Sequence, residues 1–260
     1  MRLPKKSLGQ NFLIDKNIIK KIINLSVIKN RNIVEIGPGT GELTDEILEK
    51  KPASLIVIEK DFKLAEILKK KYFDNKKIKI YNDDILQFDL EKIVKEKSII
   101  FGNLPYNISS QILVKIIKFK KWKPIFSDVI FMFQKELGEK IIGEFNSDNY
   151  GRLSILTNLR FNIINKFVIS PNCFRPKPKV KSLIIHLKPK KMKFKIKNIN
   201  KLEKITNIFF SKKRKMINKA INKILNKNQI NMIDELNLKS RPSEIKPEIY
   251  YKITELVEKI

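Results

Sequence analysis

The stretch NIVEIGPGTGELTDEILEK, residues 32–50, decides the fold. Its apolar beginning, residues 32–37, predicts a buried strand, and the amphipathic residues 41–50 predict a helix. Between them lies a glycine-rich turn with the spacing G-x-G-x-G. Glycines at such a turn let the main chain approach a ligand closely at the carboxyl end of a central strand. The stretch therefore predicts a strand–turn–helix unit that holds a small molecule.

The alternation of short apolar runs and amphipathic segments continues along most of the chain. Further strands are predicted at residues 54–59, 78–83, 98–103 and 128–133. Further helices are predicted at residues 17–28, 61–72 and 134–143, and from residue 109 onwards. Such alternation favours a parallel sheet covered on both faces, and right-handed crossovers then give a doubly wound α/β fold. The runs 161–169 and 180–188 are typical of antiparallel strands.

A change of composition near residue 188 divides the chain. Residues 1–188 are predicted to form the α/β domain. Residues 189–200 are basic and lack helical amphipathicity, which predicts a linker. Residues 201–260 carry only helical patterns, interrupted by Pro242 and Pro247, and they predict a small all-helical C-terminal domain.

The charge of the chain is its strongest compositional feature. Lys and Arg number 55 against 27 Asp and Glu, which leaves a formal net charge of +28 over 260 residues. Such an excess attracts polyanions, and nucleic acid is the expected partner. Because the basic residues are mostly Lys and because Ile and Asn are also abundant, part of the excess could reflect A/T-rich codons. No lysine-rich stretch has the apolar face with aromatic anchors that a membrane-surface role would need.

Other sequence features exclude several classes of protein. No apolar run approaches the ~18 residues that span a bilayer, and the basic N-terminus lacks the apolar core of a signal peptide. We therefore expect a cytoplasmic protein. The single cysteine, Cys173, excludes an intramolecular disulfide, and no Cys/His cluster offers a metal site.

Acidic residues at two further strand ends indicate which ligand the glycine-rich turn binds. Glu59 ends the second strand, where a carboxylate can accept hydrogen bonds from both ribose hydroxyls. Asp84 follows the third strand and could accept one from an adenine amino group, with Ile85 beside the ring. Nothing is placed to neutralise a pyrophosphate, so S-adenosylmethionine (SAM) fits better than a nicotinamide dinucleotide. Alternatively, Glu59 and Asp84 are helix N-caps.

The segment SLGQNFLID, residues 7–15, precedes the first predicted helix. Asp15 could cap that helix, which would make the segment a purely structural N-terminus. Alternatively, Gln10, Asn11 and Phe12 fold over the cofactor.

The sequence NLPY, residues 103–106, follows the fourth strand and lies beside the expected cofactor position. An adenine N6 amine is a poor nucleophile because its lone pair is delocalised into the ring. The Asn103 side-chain oxygen and the Leu104 carbonyl could accept its two hydrogens and stabilise the growing positive charge, with Pro105 fixing the turn. Tyr106 could stack on the base. A structural turn alone would explain the proline but not the asparagine and tyrosine that flank it.

Three other residues have competing interpretations. Phe174 precedes two prolines and a basic run, so it could close the other face of the base or serve as a core anchor. Cys173 could be the nucleophile of a cytosine C5 methyltransferase, but no nearby residue marks it as an activated thiolate. His186 lies in the middle of a predicted strand and is interpreted as structural.

These motifs together resemble the ribosomal RNA adenine N6-dimethyltransferase family over residues 5–188. The resemblance rests on Glu59, on the position of Asp84 and on the following stretches: GQNFL (9–13), EIGPGTG (35–41), NLPYNIS (103–109), FQKE (133–136), YGRLS (150–154) and FRPKPKVKS (174–182). It implies a Rossmann-like class I SAM-dependent methyltransferase fold with a seven-stranded, mostly parallel sheet and a helical C-terminal domain that contacts rRNA. It also implies SAM as co-substrate, no metal, and action as a monomer without a protein partner.

The resemblance assigns roles to individual residues as well. It implies SAM contacts at Asn11, Leu13, Gly37, Glu59, Asp84 and Asn103. It implies that Asn103 and Leu104 act on the amine and that Tyr106 and Phe174 stack on the base.

Within the family, the uninterrupted NLPYNISSQIL and YGRLS stretches resemble the bacterial small-subunit branch. That branch dimethylates two adjacent adenosines in a hairpin loop near the 3′ end of 16S rRNA in the 30S subunit, during ribosome biogenesis. The alternatives are a large-subunit rRNA enzyme, as in erythromycin resistance, a mitochondrial transcription factor, or an RNA-binding assembly factor with secondary catalysis.

Overall fold

The computed structural model describes residues 11–122, 124–191 and 193–259. Residues 7–10 of the N-terminal motif lie outside the described residues. The strands are β1 (Phe12–Leu13), β2 (Asn32–Ile36), β3 (Ser54–Glu59), β4 (Ile78–Asn82), β5 (Ile99–Asn103), β6 (Asp128–Gln134), β7 (Phe161–Ile169), β8 (Phe174–Arg175) and β9 (Ser182–Pro189). The helices are α1 (Lys16–Ile23), α2 (Glu42–Glu49), α3 (Phe62–Lys71), α4 (Leu90–Ile93), α5 (Ser109–Ile117), α6 (Lys135–Ile141), α7 (Arg152–Arg160), α8 (Ile199–Phe210), α9 (Asn218–Ile221), α10 (Lys227–Asn231) and α11 (Pro247–Glu258).

Seven strands form one sheet in the order β4-β3-β2-β5-β6-β9-β7. The pairs from β4 to β6 are parallel, and β9 runs antiparallel to β6. The chain leaves β2 towards β3 on one side, whereas β5 takes the place on its other side. This reversal of strand order opens a crevice at the carboxyl ends of the strands, where doubly wound folds bind ligands. The predicted seven-stranded, mostly parallel sheet is confirmed.

The core of the sheet follows from the composition of its central strands. The side chains of Ile99, Ile100 and Phe101 in β5 are fully buried, as are those of Val129 and Phe131 in the neighbouring strand β6. Strands of parallel sheets that are buried on both faces are continuous apolar runs of this kind. Helix α1 adds its apolar face to the same core, and Asp15 caps that helix by accepting a hydrogen bond from the Ile18 amide at 3.0 Å.

The predicted helices match the structure except in four places, and one of these is the short helix Leu90–Ile93, which the sequence pattern does not predict. The helix Arg152–Arg160 is not among the predicted ones, because its buried residues are distributed around the helix and give no amphipathic pattern. The helical pattern that begins at residue 201 is not continuous, since α8 ends at Phe210 where the basic run 211–215 begins. The last turn of the predicted helix 17–28 is absent, because α1 ends at Ile23.

The contacts divide the described residues into two compact units. One unit comprises the residues up to Gly138 together with Asn162–Pro189, and it contains the sheet. The other comprises Glu139–Phe161 and the residues from Lys190 onwards. The domain division expected from the sequence, with boundaries at residues 188 and 200, stays a prediction.

The second unit is helical and is held together by buried tyrosines. The Tyr150 hydroxyl donates to the Ile245 carbonyl, and the Tyr251 hydroxyl donates to the Ile155 carbonyl, both at 2.8 Å. The first bond joins the segments that precede α7 and α11, and the second joins α11 to α7. No helix in the described part of the chain is long and apolar enough to cross a membrane.

A buried polar pair joins β6 to β9. The Asp128 carboxylate lies 2.6 Å from His186 Nε2, and both side chains are less than 5% exposed. Burial raises the pKa of Asp128, but the bond to His186 and a further bond to Ser127 outweigh it, so the pKa lies below its usual value. Because Asp128 begins β6, the pair lies at the amino end of that strand, opposite to the crevice. This placement agrees with the structural interpretation of His186.

We expect Asp128→Ala to lower the free energy of unfolding by about 1–3 kcal/mol, because it leaves the buried His186 ring nitrogen without its partner. Urea unfolding at pH 7 measures the change. The difference between wild type and variant should shrink as the pH falls through the folded-state pKa of Asp128, since the stability from a lowered carboxyl pKa is complete above the unfolded pKa and is lost as the pH falls through the folded one. Asp89→Ala removes a comparable carboxylate from an exposed surface pair and is the control, with a change within ~0.5 kcal/mol. Equal losses in the two variants would contradict a role for the buried pair.

Candidate active site

One cavity occupies the crevice at the carboxyl ends of the strands. Its walls come from the N-terminal segment and from the residues that end or follow β2, β3, β4 and β5. The lining residues are Asn11, Phe12, Ile36, Gly37, Gly39, Ile58, Glu59, Lys60, Asp83, Asp84, Ile85, Asn103, Leu104, Pro105, Tyr106, Asn107 and Ile108. The structure therefore brings together most of the site residues that the sequence predicts.

The glycine-rich turn is shaped by its contact with Phe12. Gly39 has φ +61°, and a Cβ atom there would lie 2.6 Å from the Phe12 ring. Only glycine meets both conditions without strain. Phe12 itself is held by strand β1, which pairs antiparallel with β8 at Phe12↔Arg175. Asn11 and Phe12 thus form one wall of the cavity, which agrees with the interpretation that this segment folds over the cofactor.

The Glu59 carboxylate joins the glycine-rich turn to the end of β3. One oxygen accepts from the Asp61 amide at 2.8 Å and the other from the Gly39 amide at 3.3 Å. Burial raises the pKa of Glu59. Glu59 is not a helix N-cap, because that position before α3 belongs to Asp61. Each carboxylate oxygen keeps a second lone pair with which it can accept from a ligand hydroxyl.

Asp84 is held in the cavity wall by a lysine. Its carboxylate lies 2.7 Å from Lys60 Nζ and also accepts from the Leu86 amide at 3.0 Å. The Lys60 hydrogen bond is the main cause that lowers the pKa of Asp84, so the carboxylate is charged at neutral pH. The bond to Leu86 stabilises a turn, and helix α4 begins only after Asp89. Ile85 is buried beside Asp84 and offers an apolar surface to a ring.

Asn103 is the last residue of β5 and is tied to the N-terminal segment. Its side-chain nitrogen Nδ2 donates to the Asn11 main-chain carbonyl at 3.1 Å. Since an amide has its donor and acceptor on opposite sides, this bond leaves the side-chain oxygen Oδ1 on the other side of the group. Leu104 follows with its side chain buried. Asn103, Leu104 and Tyr106 all line the cavity.

Tyr106 is half-buried, and its hydroxyl lies 2.7 Å from the Ser182 hydroxyl at the beginning of β9. Burial raises the pKa of the phenol, which therefore stays neutral. The hydrogen bond spans 76 positions of the sequence. Sequence reasoning missed Ser182, although the residue ends the quoted FRPKPKVKS motif.

Leu13 and Phe174 lie outside the lining of the cavity. They face each other in the β1–β8 pair and belong to the hydrophobic core, where Leu13 is 5% and Phe174 4% exposed. Leu13 borders a smaller space next to the cavity. The predicted SAM contact of Leu13 and the predicted stacking by Phe174 stay predictions. The position of Phe174 agrees with the alternative that it is a core anchor.

Cys173 is a buried thiol rather than an activated one. Burial is the main cause that raises its pKa, and the Asp15 carboxylate, 3.7 Å from the sulfur, raises it further. A raised pKa keeps the thiol protonated and weakens it as a nucleophile. The structure therefore gives no support to the cytosine C5 mechanism. Among the described residues, no group of three or more His, Cys, Asp or Glu could hold a metal.

A second buried carboxyl group, that of Glu35, lies near the glycine-rich turn. Glu35 is 1% exposed, and burial raises its pKa to about 8, although the Thr44 hydroxyl donates to it at 2.7 Å. The group is therefore mostly protonated at pH 7. The position of Glu35, two residues before the first glycine, can be read from the sequence, but the protonation state of Glu35 depends on burial.

The chemistry of the cavity fits SAM. Two positive-φ glycines in its lining allow close main-chain approach to a ligand, and its two carboxylates can accept hydrogens from hydroxyl and amino groups. Ile58 and Ile85 provide the apolar surface that an adenine ring requires. The same cavity carries the Asn103–Tyr106 turn, so a base placed there would lie beside the cofactor.

The sheet order and the cavity define the class I SAM-dependent methyltransferase fold. The structure is similar to a dimethyladenosine transferase from Plasmodium falciparum, with a TM-score of 0.76 and 24% identity, over 95% of this chain and 98% of that one. It is also similar to the 23S rRNA methyltransferase ErmE, with a TM-score of 0.70 and 21% identity, over 95% and 99%.

The chain belongs to the ribosomal RNA adenine dimethylase family, whose family model matches residues 1–259. It is 45% identical over 255 residues to a ribosomal RNA small subunit methyltransferase A from Pelagibacter ubique, covering 98% of this chain and 97% of the relative. A relative of the same name from Coxiella burnetii is 37% identical over 256 residues, with 97% of each chain covered. The protein is thus a SAM-dependent rRNA adenine methyltransferase.

We expect Gly39→Ala to weaken SAM binding about tenfold or more, because the new Cβ must displace the Phe12 ring and strain a positive-φ position. Isothermal titration with SAM measures the change. Gly151→Ala is the matched control, since the Cβ it adds would meet nothing closer than 3.8 Å and Gly151 has an extended backbone. Unchanged SAM affinity in Gly39→Ala would contradict the assignment of the turn to the cofactor.

Proposed function

We propose that this protein transfers methyl groups from SAM to the N6 atoms of two adjacent adenosines in a hairpin loop near the 3′ end of 16S rRNA. The relatives named ribosomal RNA small subunit methyltransferase A, which match nearly the whole chain, support the small subunit as the substrate. The proposal places the protein in ribosome biogenesis.

The observation that carries the proposed mechanism is the hydrogen bond from Asn103 Nδ2 to the Asn11 carbonyl. Because it occupies the donor side of the amide, Oδ1 is available as an acceptor for one N6 hydrogen of the target base. The Leu104 carbonyl accepts the other. Two acceptors draw the nitrogen lone pair out of conjugation with the ring and stabilise the positive charge that develops on it.

Bound SAM supplies an activated methyl group on a sulfonium. We propose that Gly37 and Asn11 contact its amino acid part, Glu59 its ribose and Asp84 its adenine. Since the leaving group is already activated, correct alignment of the amine does most of the work. No strong base is needed, because the proton can leave N6 after the new carbon–nitrogen bond has formed. The second methyl group follows by the same route.

The target adenosine must leave its stack to reach the cavity, because the amino group of a stacked base is inaccessible. We propose that the Tyr106 ring stacks on the flipped base. Phe174 completes the stack in the mechanism expected from the sequence. Its burial beside Leu13 means that it would have to become exposed when RNA binds.

The net charge of +28 supports a large RNA or an assembling 30S particle as the partner. We propose a cytoplasmic enzyme that acts as a monomer without a protein partner.

The test maps N6-dimethyladenosine by mass spectrometry in rRNA from cells that lack this protein and from cells that carry it. We expect the modification at two adjacent adenosines of 16S rRNA only when the protein is present. Asn103→Ala should lose most of the modification even when SAM saturates the variant, because the lost oxygen acts on the amine.

The outcomes of the test separate the candidate functions. Modification of 23S rRNA instead would establish the large-subunit alternative. Normal assembly of the small subunit with no methylation by the wild-type protein would establish an assembly factor. Full methylation by Asn103→Ala would overturn the proposed role of the amide.

A further inference from the structure

We propose that Ser182 is a positioning residue of the methyl-transfer reaction, which holds the Tyr106 ring in the place that receives the flipped base. The inference rests on the proposed function, because it concerns the base that the enzyme methylates. It extends that function to a residue outside the cavity lining.

The geometry first shows that the Tyr106 hydroxyl is already engaged. It lies 2.7 Å from the Ser182 hydroxyl, a normal length for a bond between two hydroxyl groups. The phenol is therefore tied to the protein and not directed at a substrate. Its engagement argues that Tyr106 contributes the face of its ring to the reaction and that its hydroxyl takes no part in proton transfer.

Ser182 lies in a rigid part of the sheet. Ser182 has no exposed surface and is the first residue of β9. It faces Gln134 in the antiparallel pair with β6, and the Lys135 amide donates to the neighbouring Lys181 carbonyl at 2.9 Å. Because the main chain on both sides of Ser182 is paired in this way, the Ser182 hydroxyl is a rigid anchor for a side chain on a turn.

Tyr106 belongs to the turn after β5 and is only half-buried, so without a tether its side chain could swing about the first side-chain torsion. The hydroxyl oxygen is the side-chain atom farthest from the main chain, and a bond there fixes the direction in which the side chain points. The Ser109 hydroxyl also donates to the Tyr106 carbonyl at 3.2 Å. The main chain and the ring tip of Tyr106 are thus both restrained.

The experiment compares wild type, Ser182→Ala, Tyr106→Phe and the double variant in single-turnover methylation of under-methylated 30S particles. Each single variant removes one side of the same bond. We expect each to slow transfer roughly three- to tenfold, the change that corresponds to one typical hydrogen bond. The double variant should be no slower than either single one, and SAM affinity should not change. Ser98→Ala is the matched control, because Ser98 is a fully buried serine just before the amino end of β5, far from the cavity.

A wild-type rate in Ser182→Ala, or a double variant slowed by the product of the two single effects, would overturn the proposal. If Ser182→Ala does not fold, Tyr106→Phe removes the same bond from the less buried partner, and a full rate in that variant would overturn it equally.

A second readout separates this inference from the proposed function. With 3-fluorotyrosine at position 106, the fluorine NMR signal should be a single narrow line that broadens or shifts in Ser182→Ala. It should not change in Ser98→Ala. If wild type methylates no rRNA, the proposed function fails and the fluorine signal still tests the tether. Identical spectra of wild type and Ser182→Ala would show that Ser182 does not restrain the ring.

Discussion

The hydrogen bond between the Asn103 side chain and the Asn11 carbonyl is the interaction on which the active site depends. It joins two parts of the chain that are 92 positions apart. One is the N-terminal segment, which forms a wall of the cavity, and the other is the turn that follows β5. Because the bond fixes the orientation of the amide, in the proposed mechanism it determines whether the target amine meets an acceptor or a donor. The same contact places the N-terminal segment against the glycine-rich turn, where Phe12 packs on Gly39.

The fold makes this contact possible by gathering distant residues at one edge of a sheet. In a doubly wound sheet, the strands β2, β3 and β5 are neighbours and all point the same way, so their last residues converge. This convergence brings together Gly37, Glu59 and Asn103, which end or directly follow these three strands. The order of strands also leaves a crevice beside β2, and the cofactor position and the reacting amine can therefore share one cavity. The strongly apolar strands beneath it provide a rigid base for side chains that must be held in alignment.

Much of this arrangement could be predicted from the sequence. The features that could not be predicted depend on packing and burial in three dimensions. Strand ends are visible as apolar runs followed by glycine or a polar residue, so Glu59 and Asn103 could be placed from periodicity alone. The burial of Phe174 could not be predicted in this way, because it arises from packing against Leu13 in a pair of two-residue strands. The pKa of Glu35 depends on desolvation, which a spacing does not reveal. The partner of Tyr106 lies on another strand of the sheet, and only the three-dimensional structure brings Ser182 to it.

The central claim is that Asn103 presents its oxygen to the N6 amine of the target adenosine. A crystal structure of the protein with a non-reactive SAM analogue and an rRNA hairpin tests it most directly. The account predicts that Asn103 Oδ1 lies at hydrogen-bond distance, about 2.7–3.2 Å, from N6, while Nδ2 still donates to the Asn11 carbonyl. A base bound in the cavity with the Asn103 amide turned away from it, or with Nδ2 directed at N6, would contradict the account.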